Sequence, residues 1–215
     1  MTRLHDTALL TLIQWLSPAF PTGGYAYSHG LEWAMAAGEV TDAASLQSWI
    51  SDVLRYGAGR SDAILLARGL DPDADLEALS DLARALAGSA ERLRETVEQG
   101  AAFALTTGAL TGLALPPRAL PLAVAQAARR LTLPPETVVA MFLHGFAANL
   151  VSAAVRFVPL GQTDGQRVLA ALHPLVALLA NEAAEAPLAA IGTAAFRADM
   201  AAMQHETQSV RLFKT

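Results

Sequence analysis

The chain has no cysteine among its 215 residues. Disulfides, thiolate metal sites and cysteine nucleophiles are therefore excluded. It has no long run of lysine and arginine, and its net charge is −5, which argues against nucleic acid as the main partner. Alternating β-branched runs are also missing, so strand signals are poor. No internal repeat and no long linker divides the chain, which predicts one domain over residues 1–215.

Several catalytic signatures are absent as well. There is no phosphate-binding loop: "GQTDGQ" and "PTGG" lack the Lys-Ser/Thr that holds phosphate and magnesium. There is no G-x-S-x-G elbow. The five histidines, His5, His29, His144, His173 and His205, form no H-x-H, H-x-x-x-H or H-E-x-x-H pattern, so no local metal motif is present. The N-terminal run carries His5 and Asp6 and offers no small-x-small cleavage site, unlike a signal peptide.

What is present is helical. Apolar residues make up 53% and mean hydropathy is +0.34, enough for a large core with apolar surface left for a partner. Leu46, Trp49, Ile50, Val53 and Leu54 form an amphipathic stripe that Asp42 or Ser45 is placed to cap. Leu76, Leu79, Leu82 and Leu86 mark another stripe. Glu91, Arg94 and Glu98 read as a charged outer face, and residues 71–98, with eight acidic residues and three arginines, as a solvated stretch. Breaks are expected at 71–75, 113–121, 131–136, 158–165 and Pro187, with Pro116–Pro117 and Pro134–Pro135 each ending one helix and starting the next. Gly161 and Gly165 read as turn glycines. The fold class is all-α, a bundle of roughly eight to ten helices with a C-terminal tail at 204–215.

Residues 137–155 are uncharged and about long enough to span a bilayer, but His144, Asn149 and Ser152 interrupt them. A buried helix is the better reading, with no membrane role. On that helix His144, Ala148, Ser152 and Arg156 recur every four residues, a slowly winding polar seam read as fixing register inside the bundle. His29 and Glu32, three apart, are expected to share a helix face. The densest segment is "SPAFPTGGYAYSHG" at 17–30. Pro18 and Pro21 stop the first helix, Gly23 and Gly24 allow a turn, and "YAYSHGLEWAM" restarts as a helix. Phe20, Tyr25 and Trp33 are expected to pack this corner, and Tyr25 and Tyr27 carry polar tips suited to an interface.

Three blocks carry a family resemblance. "LLTLIQWLSPAFPTGGYAYSHGLEWAMAAGEV", "NLVSAAVRFVPLGQTDGQRVLAAL" and "MQHETQSVRLFKT" resemble, in order, the N-terminal, central and C-terminal segments of the UreF urease accessory proteins. The tail departs from the family's His-Glu-Thr-x-Tyr-Ser-Arg-Leu-Phe in having Ser209 and Val210 at the Tyr-Ser positions. The resemblance implies a cytoplasmic protein that is not an enzyme. It implies a homodimer that bridges the UreD/UreH scaffold and the UreG GTPase and acts on the urease apoprotein through that complex. Nickel is handled by the complex, and this chain binds no cofactor tightly. The expected contact residues are Tyr25 and Tyr27 at a partner interface, Glu32 with His29 beside it toward the GTPase, and His205, Glu206, Arg211, Leu212 and Phe213 toward the scaffold. The alternatives are a helical metallochaperone binding nickel directly through His29 or His205, and an enzyme acting at the His144–Arg156 seam.

Overall fold

The computed structural model describes residues 2–214, with side chains from Asp6 onward; the His5 side chain and Thr215 lie outside what it describes. Ten α-helices run α1 Thr2–Leu16, α2 Leu31–Ala36, α3 Ala43–Tyr56, α4 Ala58–Gly69, α5 Leu76–Ala85, α6 Ala90–Thr111, α7 Leu120–Ala128, α8 Pro135–Phe157, α9 Gln162–Glu185 and α10 Phe196–His205. No strand occurs among the described residues. The all-α expectation and its helix number hold.

The long antiparallel pair α8–α9 forms the centre. On it pack α1, α3 and α4; α7 joins α4 to α6, and α10 closes over α2 and α6. α8 is the membrane-like stretch of the sequence, and it is a core helix: Val138, Val139, Phe142, Leu143, Ala147 and Leu150 are all buried. Both α8 and α9 are long and apolar enough to cross a membrane by length, but about half of each apolar window is buried inside the bundle. The five-residue stripe of α3 is buried in full. Each such side chain contributes roughly 1.5–3 kcal/mol. The α3 cap uses both expected residues, Asp42 accepting from the Ser45 amide while Ser45 Oγ accepts from the Asp42 amide.

Several local expectations are corrected. Pro116–Pro117 lies in the extended link before α7, and Pro121 starts that helix; Pro135 does start α8. Gly161 has φ −69° and Gly165 lies inside α9. Gly165 is small because a Cβ there would sit 2.7 Å from Val155 Cγ2, so it serves the α8–α9 contact, not a turn. The seam of α8 is not internal: Ser152 and Arg156 face solvent, because each four-residue step drifts around the helix and carries the row off the α9 side.

Helix α6 is inside-out. Glu91, Glu95, Thr96, Gln99 and Thr107 are buried, while Leu93, Val97 and Leu105 are 38%, 39% and 77% exposed. The expected charged outer face therefore holds for Arg94 and Glu98 but fails for Glu91. Gly100 lets α6 approach the link before α7; a Cβ there would fall 1.9 Å from the Arg118 carbonyl. Arg129 ties this region together. Its guanidinium donates to the carbonyls of Gly69, Pro72 and Ala74 at 2.8, 3.3 and 3.2 Å, capping the end of α4. Arg129→Ala is expected to lose about 2 kcal/mol in urea unfolding. Arg129→Lys should recover only part of this, since a point charge cannot reach three carbonyls at once.

Candidate functional site

The segment at 17–30 and the C-terminal tail are far apart in sequence and meet in one polar site. α1 stops at Leu16, and after a run of turns a single 3-10 turn spans Gly24–Ala26. The helix does not restart at Tyr25. Tyr27 is extended, and His29 and Gly30 are left-handed at φ 55° and 72°. Gly30 is required twice over: its φ favours glycine, and a Cβ would lie 2.5 Å from the Ala202 amide of α10. His29 and Glu32 therefore share no helix face, and they point to different partners.

Glu32 binds the tail. It is buried at the start of α2. Its Oε1 accepts from the Leu212 amide at 2.7 Å and its Oε2 from the Phe213 amide at 2.9 Å. His205, also fully buried, lies between two carboxylates: Nε2 is 3.1 Å from Glu32 Oε2 and Nδ1 is 2.7 Å from Glu91 Oε2. Arg211 donates to the other Glu91 oxygen at 2.7 Å. Glu206 accepts from the Ala90 amide at 2.8 Å, supplying an anion at the start of α6. The Lys214 amide donates to the Ala26 carbonyl at 2.7 Å, and the Lys214 ammonium reaches Glu98 at 3.0 Å. Tyr27 donates to the same Glu98 oxygen at 2.5 Å. Phe213 is buried beneath the Arg156 guanidinium, 4.7 Å from the ring centroid, and Arg156 also donates to the Tyr25 carbonyl. Asn149 donates to the Tyr27 carbonyl at 3.0 Å.

His29 belongs to a second network. Its Nε2 is 2.8 Å from Glu95 Oε1, and its ring stands edge-on to Phe146. Gln99 donates to the same Glu95 oxygen. Arg92 pairs with Asp62 at 2.5 Å and faces the remaining Glu95 oxygen at 3.6 Å; that oxygen has no hydrogen-bond partner. Two cavities of about 70 and 100 Å³ lie against this row, and His29, Asp62, Arg92 and Glu95 line both. The row is thus a polar septum between two hollows.

Burial raises the Glu95 carboxyl, but His29 and Arg92 outweigh it and hold the group below its ordinary value. At Asp62 burial wins, and the carboxyl is pushed up despite Arg92 and His29. Burial also raises the Tyr27 phenol, with its Glu98 bond second. The bonds from Tyr27 and Lys214 lower Glu98 from 4.5. A lowered carboxylate stabilises above its unfolded pKa and loses that contribution as pH falls through its folded one. The Tyr27–Glu98–Lys214 contact should therefore weaken as pH falls below the ordinary carboxylate range. The Lys214 amide resonance should shift as that contact opens, and a Glu98→Gln protein should already show most of the change at neutral pH.

Of the residues implied as contacts, Tyr27, His29, Glu32, His205 and Phe213 are buried, and Tyr25, Glu206, Arg211 and Leu212 are on the surface. Tyr25, at 67% exposure, does not pack the corner; Tyr27 is buried instead. Ser209 and Val210 are exposed too. Asp62, Arg92, Glu95, Glu98, Asn149, Arg156 and Lys214 were not picked out for these contacts from sequence. The available signal was the four-residue spacing of Glu91, Glu95 and Gln99 on the side of α6 away from Leu93 and Val97. No group of three or more histidine or carboxylate side chains converges as a metal site among the described residues.

The UreF family model matches residues 40–173. A urease accessory protein UreF from Cereibacter sphaeroides strain ATCC 17025 is 70% identical over 97% of this chain and 99% of its own. The chain belongs to the UreF family. The UreF of Dinoroseobacter shibae is 53% identical over 97% of this chain and 99% of its own, and that of Paracoccus denitrificans 49% over 98% and 97%. The UreF family model ends before the tail and begins after Glu32, whereas these full-length UreF relatives span nearly the whole chain.

Proposed function

We propose that this UreF-family chain works in urease maturation as a cytoplasmic, non-enzymatic bridge between the UreD/UreH scaffold and the UreG GTPase. It acts as a homodimer, orders the GTPase by contact and reaches the urease apoprotein through the complex. The observation that supports this reading is an apolar outer surface laid over a buried polar clasp. On α10, Phe196, Met200 and Met203, at i, i+4 and i+7, are 72%, 57% and 51% exposed, and the tail adds Leu212 and Val210. A one-sided apolar stripe on a helix already packed on its other side suits a partner groove, and methionine adapts well there.

In this reading Leu212, Arg211 and the α10 stripe touch the scaffold, and Tyr25 lies on the GTPase side. Glu32 and His205 position that surface from beneath, as His29 and Tyr27 do on the N-terminal side, and Glu206 ties the end of α10 to the start of α6. Nickel is cargo of the complex. Both ring nitrogens of His205 face carboxylates, and His29 Nε2 is held by Glu95, which disfavours a direct nickel site at either residue.

The test is size-exclusion chromatography with light scattering. The protein is run alone, with its scaffold partner, and then with the GTPase in its nucleotide- and nickel-bound forms. A dimer that forms a binary and then a ternary complex is expected. Met200→Glu should weaken scaffold binding at least tenfold with unchanged far-UV circular dichroism. A chain that ignores both partners overturns the bridging reading.

A further inference from the structure

The side chains of two histidines do nothing in the networks above. His144 of α8 and His173 of α9 face each other across the central helix pair, with ring centroids 5.4 Å apart and planes tilted by 41°. Neither ring hydrogen-bonds a protein group among the described residues. His29 and His205, by contrast, are engaged by carboxylates. His144 is half-buried and His173 is exposed, so solvent and solutes reach the pair.

Two imidazoles held at this separation match a shared metal ion. With metal–nitrogen distances of about 2.0–2.1 Å, two imidazoles on one ion set their centroids roughly 4.5–5.5 Å apart. The pair is also mounted rigidly. α8 and α9 are the longest and most extensively packed helices, so the rings need only rotate about their side-chain torsions to converge.

We infer that His144 and His173 form a two-imidazole site for a divalent cation of the copper, nickel and zinc class, with solvent or an exogenous donor filling the remaining positions. Imidazole suits these ions, whereas magnesium and calcium prefer oxygen ligands and are excluded by the donor set. The site is separate from the clasp and the septum, and it stands or falls independently of the bridging reading.

The test is titration calorimetry of the full chain with Cu²⁺, Ni²⁺ and Zn²⁺, alongside His144→Gln, His173→Gln, the double variant and His5→Gln. Copper spin resonance of the same samples gives the number of coordinated nitrogens. One equivalent is expected to bind, with Cu²⁺ tightest. Each single variant should weaken binding at least tenfold, and the double variant, which keeps neither imidazole, should bind no more than background. His5→Gln should bind as the parent does. The copper spectrum should show two histidine nitrogens, falling to one or none in the variants. Both positions are accessible, so unchanged circular dichroism is expected throughout. Equal binding by parent and double variant, or loss of binding on His5→Gln alone, overturns the assignment.

Discussion

Arg92→Met is expected to lower the unfolding free energy by about 3–5 kcal/mol, read as a shift of the urea midpoint without a change of slope. Arg92 pairs with Asp62, and it also faces Glu95. Removing it leaves two buried carboxylates with one histidine between them. Methionine keeps most of the buried volume, so packing loss is small and the effect reports charge. The triple change Arg92→Met, Asp62→Asn, Glu95→Gln should recover much of the loss, because neutral amides no longer need a counter-charge. The defect of the single variant should also shrink in acid, as protonation discharges both carboxylates. The sign follows from linkage: losing Arg92 removes a lowering influence from both carboxylates, so their folded pKa values lie above the parent's and the variant's deficit grows as pH rises through them. A pH-independent defect would mean that Arg92 acts through its packing alone.

The same residues show where sequence reasoning reached and where it stopped. The helices were legible because periodicity is local. The α3 stripe and its Asp42–Ser45 cap are complete within fifteen residues, and prolines mark most of the breaks. The inversion of α6 was not legible. A helix carrying Leu93 and Val97 on one side and Glu95 and Gln99 on the other can face either way, and the default puts the charges outside. What reverses it is tertiary: Asp62 on α4, His29 in the N-terminal segment and His205 on α10 supply partners that only the fold brings near. His29 and Glu32 teach the same point. Spacing alone paired them, but the left-handed His29 and Gly30 keep His29 off the helix, and each then finds a carboxylate or an amide far along the chain. The opening segment and the tail were each conspicuous, one for its glycines, prolines and aromatics, the other through resemblance. That they bind each other was invisible, because the clamp is a side-chain carboxylate reading backbone amides, which leaves no pattern in the tail's side chains.

That last feature gives the second large effect. Glu32→Ala should raise the population of undocked tail about 100-fold, equivalent to about 3 kcal/mol, since it removes both charge-assisted amide bonds and leaves His205 facing one carboxylate. Chymotryptic cleavage at Phe213 under native conditions reads this directly, because in the fast-reclosing regime the rate follows the open population. Arg211→Gln should have a smaller effect, near tenfold, because Arg211 is 40% exposed and its pair with Glu91 is partly screened. Leu212→Ala should change cleavage little, since that side chain points to solvent and the residue is held through its amide. If Glu32→Ala cleaves no faster than the parent, the tail is held by Phe213 and Lys214, not by the carboxylate clamp. The contrast between Glu32 and Leu212 also separates two ways of losing a partner. Glu32→Ala should weaken scaffold binding by freeing the tail, so the binding loss tracks the cleavage rate. Leu212→Ala should weaken binding with the tail still docked, so the two readouts part. A positioning residue and a contact residue a few ångströms apart are thereby told apart by experiment.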